Sequence, residues 1–327
     1  MSIPRRLLPT LAVAATCLAA GLAAAGAAHL ATRRLVGETI FLKNYRTLFW
    51  EESLLFHKMD YALSSAEDND VLLHGDSTCL TDLDALRLTQ KTGRTAYNLG
   101  TLGSLGPDGH LQILKDYLRH HPRPRILVYT IWPAELAAGF STNEPLKDRF
   151  VWAYGPEMRR DRGWTRWPLN LRLREEFRTL AGRLTGGRAR FLDQEIAPGI
   201  THARLGAMLA ERRGFFERTT VKPVDVYTGD LVVAPVPGAA LEEFLRFADS
   251  EGIRTLVRLA PMPQGVPQAR KRELAEWFSR LKTGSNVVVA QPLVLEFPPS
   301  DFSDWGHLNA AGVRRFTDLV AAELPRR

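Results

Sequence analysis

Asp70-Val71-Leu72-Leu73-His74-Gly75-Asp76-Ser77 is the stretch whose reading decides the fold. A short apolar run that ends on a glycine, with no polar alternation, is the pattern of a strand buried on both faces of a parallel sheet. Working outward, residues 80–91 have helical spacing, and Thr95-Ala96-Tyr97-Asn98 reads as a second strand running into a glycine-rich turn. Pro107 opens a helix to about His121, since proline is tolerated in a first turn. Arg125-Ile126-Leu127-Val128-Tyr129 reads as a third strand. A long insertion follows, roughly residues 133–220, rich in Arg and Trp and mostly helical in pattern. The alternation resumes with a helix at 239–250, a strand at 255–259, a helix at about 268–282 and a fifth strand at 286–290. A last helix starts at Asn309, read as its N-cap, and ends near Leu324. Strands alternating with helices predict a flavodoxin-like, doubly wound α/β domain over residues 69–327.

The chain has 327 residues, 45% of them hydrophobic, with a formal net charge of +7. Residues 7–31 contain no formally charged side chain and are long enough to cross a bilayer as one helix. Arg5 and Arg6 on one side, and Arg33 and Arg34 on the other, supply much of the positive charge. That charge therefore reflects membrane topology, and no nucleic-acid partner is expected. Residues 1–34 are expected to form an uncleaved single-pass anchor that leaves the rest on the periplasmic side of the cytoplasmic membrane. A signal peptide cleaved near the alanines at 23–28 is the rival reading. Residues 35–68 read as an amphipathic connector whose aromatics pack a helix on the main domain. Cys17 and Cys79 are the only cysteines and are not expected to pair.

In doubly wound sheets the chemistry lies outside the carboxyl ends of the strands. Three segments fall there. Gly75-Asp76-Ser77 places a serine at a helix N-terminus, where free N–H groups and the helix dipole favour negative charge. Asn98-Leu99-Gly100 follows the second strand, with a glycine that lets backbone approach a ligand. Asp304-Trp305-Gly306-His307-Leu308-Asn309 precedes the last helix. A serine hydroxyl needs a base to become a nucleophile, and histidine needs an acceptor to hold its tautomer. Asp304, three residues before His307, can fold back to the ring within one loop. The N–H groups of Ser77 and Gly100 are the expected oxyanion donors.

These segments resemble the SGNH (GDSL-type) hydrolase superfamily in order and spacing. Gly75-Asp76-Ser77 resembles the nucleophile block, Asn98-Leu99-Gly100 the glycine block, and Asp304 to His307 the final Asp-x-x-His. The resemblance implies a flavodoxin-like fold and ester chemistry on acyl groups of carbohydrates or lipids. It departs at one block: where the family has Gly-x-Asn-Asp, this chain has Tyr129-Thr130-Ile131-Trp132-Pro133, leaving Thr130 as a substitute donor. Membrane-anchored relatives in polysaccharide O-acetylation and teichoic acid D-alanylation have a similar layout. The expected function is an envelope-facing esterase or O-acyltransferase using Ser77, His307 and Asp304. Its substrates would be an acylated glycan or acyl donor, with a membrane-bound export or acyl-transfer partner. The alternative is a non-catalytic scaffold binding glycan or a membrane partner.

The remaining motifs read as structural. Residues 100–106 are glycine-rich but lack the Gly-Lys-Ser/Thr ending of a phosphate loop, so they are expected to wall the acyl pocket. His74, His110, His120 and His121 lack metal-ligand spacing, and no metal or cofactor is expected. Arg258 is read as a core-edge residue, with contact to an anionic sugar as the alternative. Trp305 is read as packing, with the pocket wall as its alternative.

Overall fold

The computed structural model describes residues 50–63, 67–133, 136, 192–197, 199–218 and 238–325, with Thr16, Cys17, Ala20, Gly21, Ala23 and Ala24 in helical conformation. Most of the expected anchor at residues 7–31 and most of the expected insertion therefore lie outside the described residues. Among the described residues no helix is long and apolar enough to cross a membrane. The chain divides into two compact units, Met1–Leu48 with Asp148–Gln194, and Phe49–Lys147 with Glu195–Arg327. The second unit carries the sheet and the site.

In chain order this unit runs α1 (Trp50–Leu63), β1 (Val71–Gly75), α2 (Ser77–Asp82), α3 (Ala85–Thr92), β2 (Ala96–Asn98), α4 (Gly106–His120) and β3 (Ile126–Ile131). After the first unit's second segment come β4 (Glu195–Ala197), β5 (Ile200–Thr201), α5 (His202–Glu211), α6 (Ala239–Ser250) and β6 (Arg254–Leu259). The chain then forms β7 (Met262–Pro263), α7 (Gln268–Ser279), β8 (Val287–Val289), β9 (Glu296–Phe297) and α8 (Ala310–Glu323).

Five strands form one sheet in the order β2-β1-β3-β6-β8, and every neighbouring pair is parallel. Counted within this sheet the order is 2-1-3-4-5, which is compatible with a flavodoxin-like fold. The apolar run at 71–73 is fully buried because β1 is central, with β2 and β3 as neighbours. Its side chains alternate between two helical layers. Val71 and Leu73 join a core with Leu83, Leu88, Val313 and Phe316 from the α2, α3 and α8 side. On the other face His74 and Tyr129 pack against Phe244 of α6, and α4 packs on α1 and α6.

The structure departs from the sequence reading at three places. The single helix expected at 80–91 is broken at Leu83, because Asp84 caps a new helix by accepting from the N–H groups of Leu86 and Arg87. Within the expected helical insertion, β4 and β5 form an antiparallel hairpin before α5, so that segment is not wholly helical. β7 and β9 add a small parallel pair beyond the main sheet. The aromatic-rich connector does supply a helix, α1, packed on α4 and α5.

Gly75 fixes how β1 meets β3. Its φ is +147°, a region that favours glycine, and a Cβ there would overlap the carbonyl oxygen of Thr130. Gly75→Ala is expected to lower stability by more than about 3 kcal/mol, since steric overlap and backbone strain add. Urea unfolding of the variant checks this; an unchanged midpoint would contradict it.

Candidate active site

The serine at the end of β1 is held by its neighbours. Asp76 caps α2, its Oδ1 accepting from Thr78 N–H at 2.8 Å and from the Thr78 hydroxyl at 2.6 Å. Its Oδ2 accepts from Trp132 N–H at 2.6 Å, just beyond β3. Burial pushes the Asp76 carboxyl up, while the bonds from Thr78 and Trp132 and the charge of His307 oppose that rise. Ser77 is the first residue of α2. Its N–H therefore lies in the first turn, where no intrahelical carbonyl reaches it.

The histidine comes from a tight loop closed before α8. Phe302 and Leu308 form an antiparallel bridge, and the His307 carbonyl accepts from the N–H and hydroxyl of Ser303 at 2.8 and 3.1 Å. Asp304 Oδ1 accepts from Gly306 N–H at 3.0 Å, from His307 N–H at 2.9 Å and from His307 Nδ1 at 2.9 Å. With Nδ1–H donating to Asp304, Nε2 is left as an acceptor. Ser77 Oγ lies 3.0 Å from it. The three-residue spacing puts the carboxylate under the ring because the loop turns back on itself. Asn309 then caps α8, accepting from Ala311 and Gly312 N–H. The structure thus brings Ser77, His307 and Asp304 into one hydrogen-bonded chain from opposite ends of the sequence.

Two residues beside this chain were not singled out in the sequence. Asp82, at the end of α2, is buried, and its Oδ1 accepts from Leu308 N–H at 3.0 Å and from the Thr81 hydroxyl at 2.8 Å. Its Oδ2 is buried with no hydrogen-bond partner. Burial pushes this carboxyl up to about 7, against the pull of His307, Leu308 N–H and Thr81. Arg218 lies just after α5 in sequence; its Nη2 pairs with Asp304 Oδ2 at 2.8 Å, and its Nη1 sits 3.0 Å from His307 Nδ1. Because Nδ1 already donates to Asp304, that second approach is a close charge contact and not a hydrogen bond. The helical spacing of residues 80–91 gave no signal for Asp82. Nothing local to Arg218 points to a residue 86 positions further along the chain.

These charges oppose one another at the imidazole. Burial pushes His307 down, but the bond to Asp304 and the negative charges of Asp82 and Asp304 raise it above the ordinary histidine value, with Arg218 pulling the other way. Burial pushes Asp304 up, yet the bond and charge of His307, the Gly306 N–H and Arg218 bring it down to about 2. A carboxylate ionised throughout the neutral range and a basic imidazole beside a hydroxyl are the requirements of nucleophilic catalysis.

The other expected site residues divide. Asn98 is fully buried and structural: its Nδ2 donates to the carbonyls of Cys79 and Leu83 at 2.7 and 2.8 Å. Its Oδ1 accepts from Gly100 N–H at 2.8 Å. This corrects the assignment of Gly100 as an oxyanion donor, since that N–H is already engaged. The glycine is needed because a Cβ would lie 2.5 Å from Leu80 N. Thr130 is fully buried and its hydroxyl has no partner. Strand alternation puts it on the face of Ile126 and Val128, which α2 helps cover.

Arg258 is buried and pairs with Glu323 of α8, so it does not face a ligand. His74 and His110 are buried core residues, and burial pushes both down, His74 to about 4. Among the described residues no group of three or more His, Cys, Asp or Glu side chains could hold a metal ion. A cavity of about 340 Å³ is lined by Arg212, Phe215, Arg218, Leu308 and Arg314, among others, but not by Ser77. It abuts the charge partner of Asp304, not Ser77.

No protein-family model matches the chain, and no curated protein matches it significantly. The site rests on its own geometry. In that geometry Asp304, Asp82 and Arg218 set the charge state of His307, and Asp76 interacts with it more weakly. An NMR titration of the His307 ring is expected to show a higher pKa in Arg218→Gln, which removes a cation, and a lower one in Asp82→Asn, which removes an anion. Shifts of the same sign in both variants would contradict this arrangement.

Proposed function

We propose that this chain is a serine esterase or O-acyltransferase of the SGNH type, acting on acyl groups of a cell-surface polysaccharide. We further propose that residues 7–31 hold it at the outer face of the cytoplasmic membrane. The observation that carries the catalytic reading is the Ser77–His307–Asp304 chain, with contacts of 3.0 and 2.9 Å. The flavodoxin-like strand order and the order of motifs support the family reading. The glycan and acetyl assignment rests on the sequence resemblance.

In this reading Ser77 Oγ attacks the acyl carbonyl carbon while its proton passes to His307 Nε2. The carbonyl electron pair moves onto oxygen, and the tetrahedral oxyanion then collapses. The leaving sugar oxygen takes the proton from Nε2, and the acyl group stays on Ser77 as an ester. A second attack, by water or by an acceptor hydroxyl, passes its proton to the same nitrogen and returns the serine. Asp304, ionised throughout, stabilises the imidazolium at each stage. With Gly100 N–H engaged and the Thr130 hydroxyl buried on the face that α2 helps cover, the Ser77 N–H is the donor left for the oxyanion.

A second reading, a glycan- or partner-binding scaffold on the same fold, is favoured by one observation: the glycine-block N–H is bonded to Asn98. Acyl release from O-acetylated polysaccharide, measured for wild type, Ser77→Ala and Thr130→Val, separates the two. Catalysis predicts release by wild type, none above background by Ser77→Ala, and release close to wild type by Thr130→Val, whose hydroxyl is buried away from the serine. Thr130→Val should keep its stability to within about 0.5 kcal/mol, because the hydroxyl removed has no partner. A folded wild type that neither releases nor transfers acyl groups would leave the scaffold reading.

A further inference from the structure

Trp305 stands apart from the rest of the apolar surface. It is 66% exposed, and among the described residues the only other exposed large hydrophobic side chain is Val288. It lies between Asp304 and Gly306, two positions before His307. Its exposure is not a matter of being unattached. The Trp305 ring meets Trp132 edge to face, with centroids 5.6 Å apart and planes at 83°. Trp132 is itself 5% exposed, and its backbone N–H holds Asp76 Oδ2 beside Ser77. The pair therefore links the end of β3, which anchors the serine, to the loop that carries the histidine. Packing explains one edge of Trp305 and leaves its remaining surface in water. A Cβ added at the neighbouring Gly306 would meet nothing within 4 Å, so the loop is open at that position too.

A fixed indole next to a nucleophile suits one kind of substrate group. The face of an aromatic ring carries partial negative charge and attracts weakly positive C–H groups. A pyranose presents a flat patch of such hydrogens on one side and hydroxyls around its rim. A sugar lying on the indole would keep its polar rim wet while its acyl substituent reaches the neighbouring serine. Insertion of this tryptophan into a lipid interface is disfavoured by its surroundings, since Asp304 flanks it in sequence and Arg218 pairs with that carboxylate.

We infer that Trp305, braced by Trp132, is a stacking platform for a pyranose ring of the acylated glycan. The inference rests on the glycan-ester reading above and adds the subsite that holds the sugar. Binding can be measured without turnover, in protein carrying Ser77→Ala, by titrating Trp fluorescence and by calorimetry. The probes are partially O-acetylated hexasaccharides of neutral-sugar, amino-sugar and uronic-acid type. At least one is expected to bind, with Trp305→Ala weakening it about tenfold or more and Trp305→Phe by no more than about threefold. In the Ser77-containing protein, the ratio of kcat/KM for the acetylated glycan over p-nitrophenyl acetate should fall in Trp305→Ala, chiefly through KM. Equal affinity with and without Trp305, or no binding by any hexasaccharide, would overturn the inference. Because affinity is read with the serine removed, that failure is separate from a failure of Ser77 to act as nucleophile.

Discussion

The six-residue helix α2 cannot hold itself, and two buried carboxylates clamp it. Asp76 grips the N-terminal end, tying the first turn to the backbone beyond β3 through Trp132 N–H. Asp82 grips the other end, accepting from Leu308 N–H in the loop that presents His307. Between them stands Ser77. Gly75 permits the arrangement by allowing β1 to run against the Thr130 carbonyl. Burying two carboxylates is costly unless they are hydrogen-bonded. Asp76 has both oxygens bonded, whereas one oxygen of Asp82 is unpartnered and that carboxyl is pushed up to about 7. The Asp82 clamp, at the histidine end, therefore changes charge near neutrality.

That difference reaches the imidazole. Asp304 is an anion down to about pH 2, so the neutral His307 ring keeps its proton on Nδ1. Asp82 adds a second anion only when it is ionised, and Arg218 subtracts from both. The base is poised by a balance of three side chains from three parts of the chain. This explains why Asp304 and His307, adjacent in one loop, do not by themselves define the electrostatics of the site.

The main strands were legible because each is a short apolar run in a parallel sheet. The juxtaposition of Ser77, His307 and Asp304 was legible because each sits at a strand end or loop with a distinct residue pattern. What stayed hidden depends on contacts across the chain. Gly100 looked like a free donor because its engagement by Asn98 Oδ1 requires the amide to turn back toward its own loop. The helix break at Leu83 depends on Asp82 turning inward to Leu308 while Asp84 caps outward, a choice that local periodicity does not encode. Arg218 follows a hairpin and helix within a segment whose composition suggested helices alone. Trp305 read as packing because sequence carries no measure of exposure.

The central claim is that Ser77 is a nucleophile activated by His307. Reaction of the folded protein with a fluorophosphonate, followed by peptide mapping, tests it most directly. One covalent adduct is expected, on Ser77, forming faster as pH rises through the His307 pKa and abolished in His307→Ala. No adduct on folded protein, or one that forms equally well in Ser77→Ala, would contradict it.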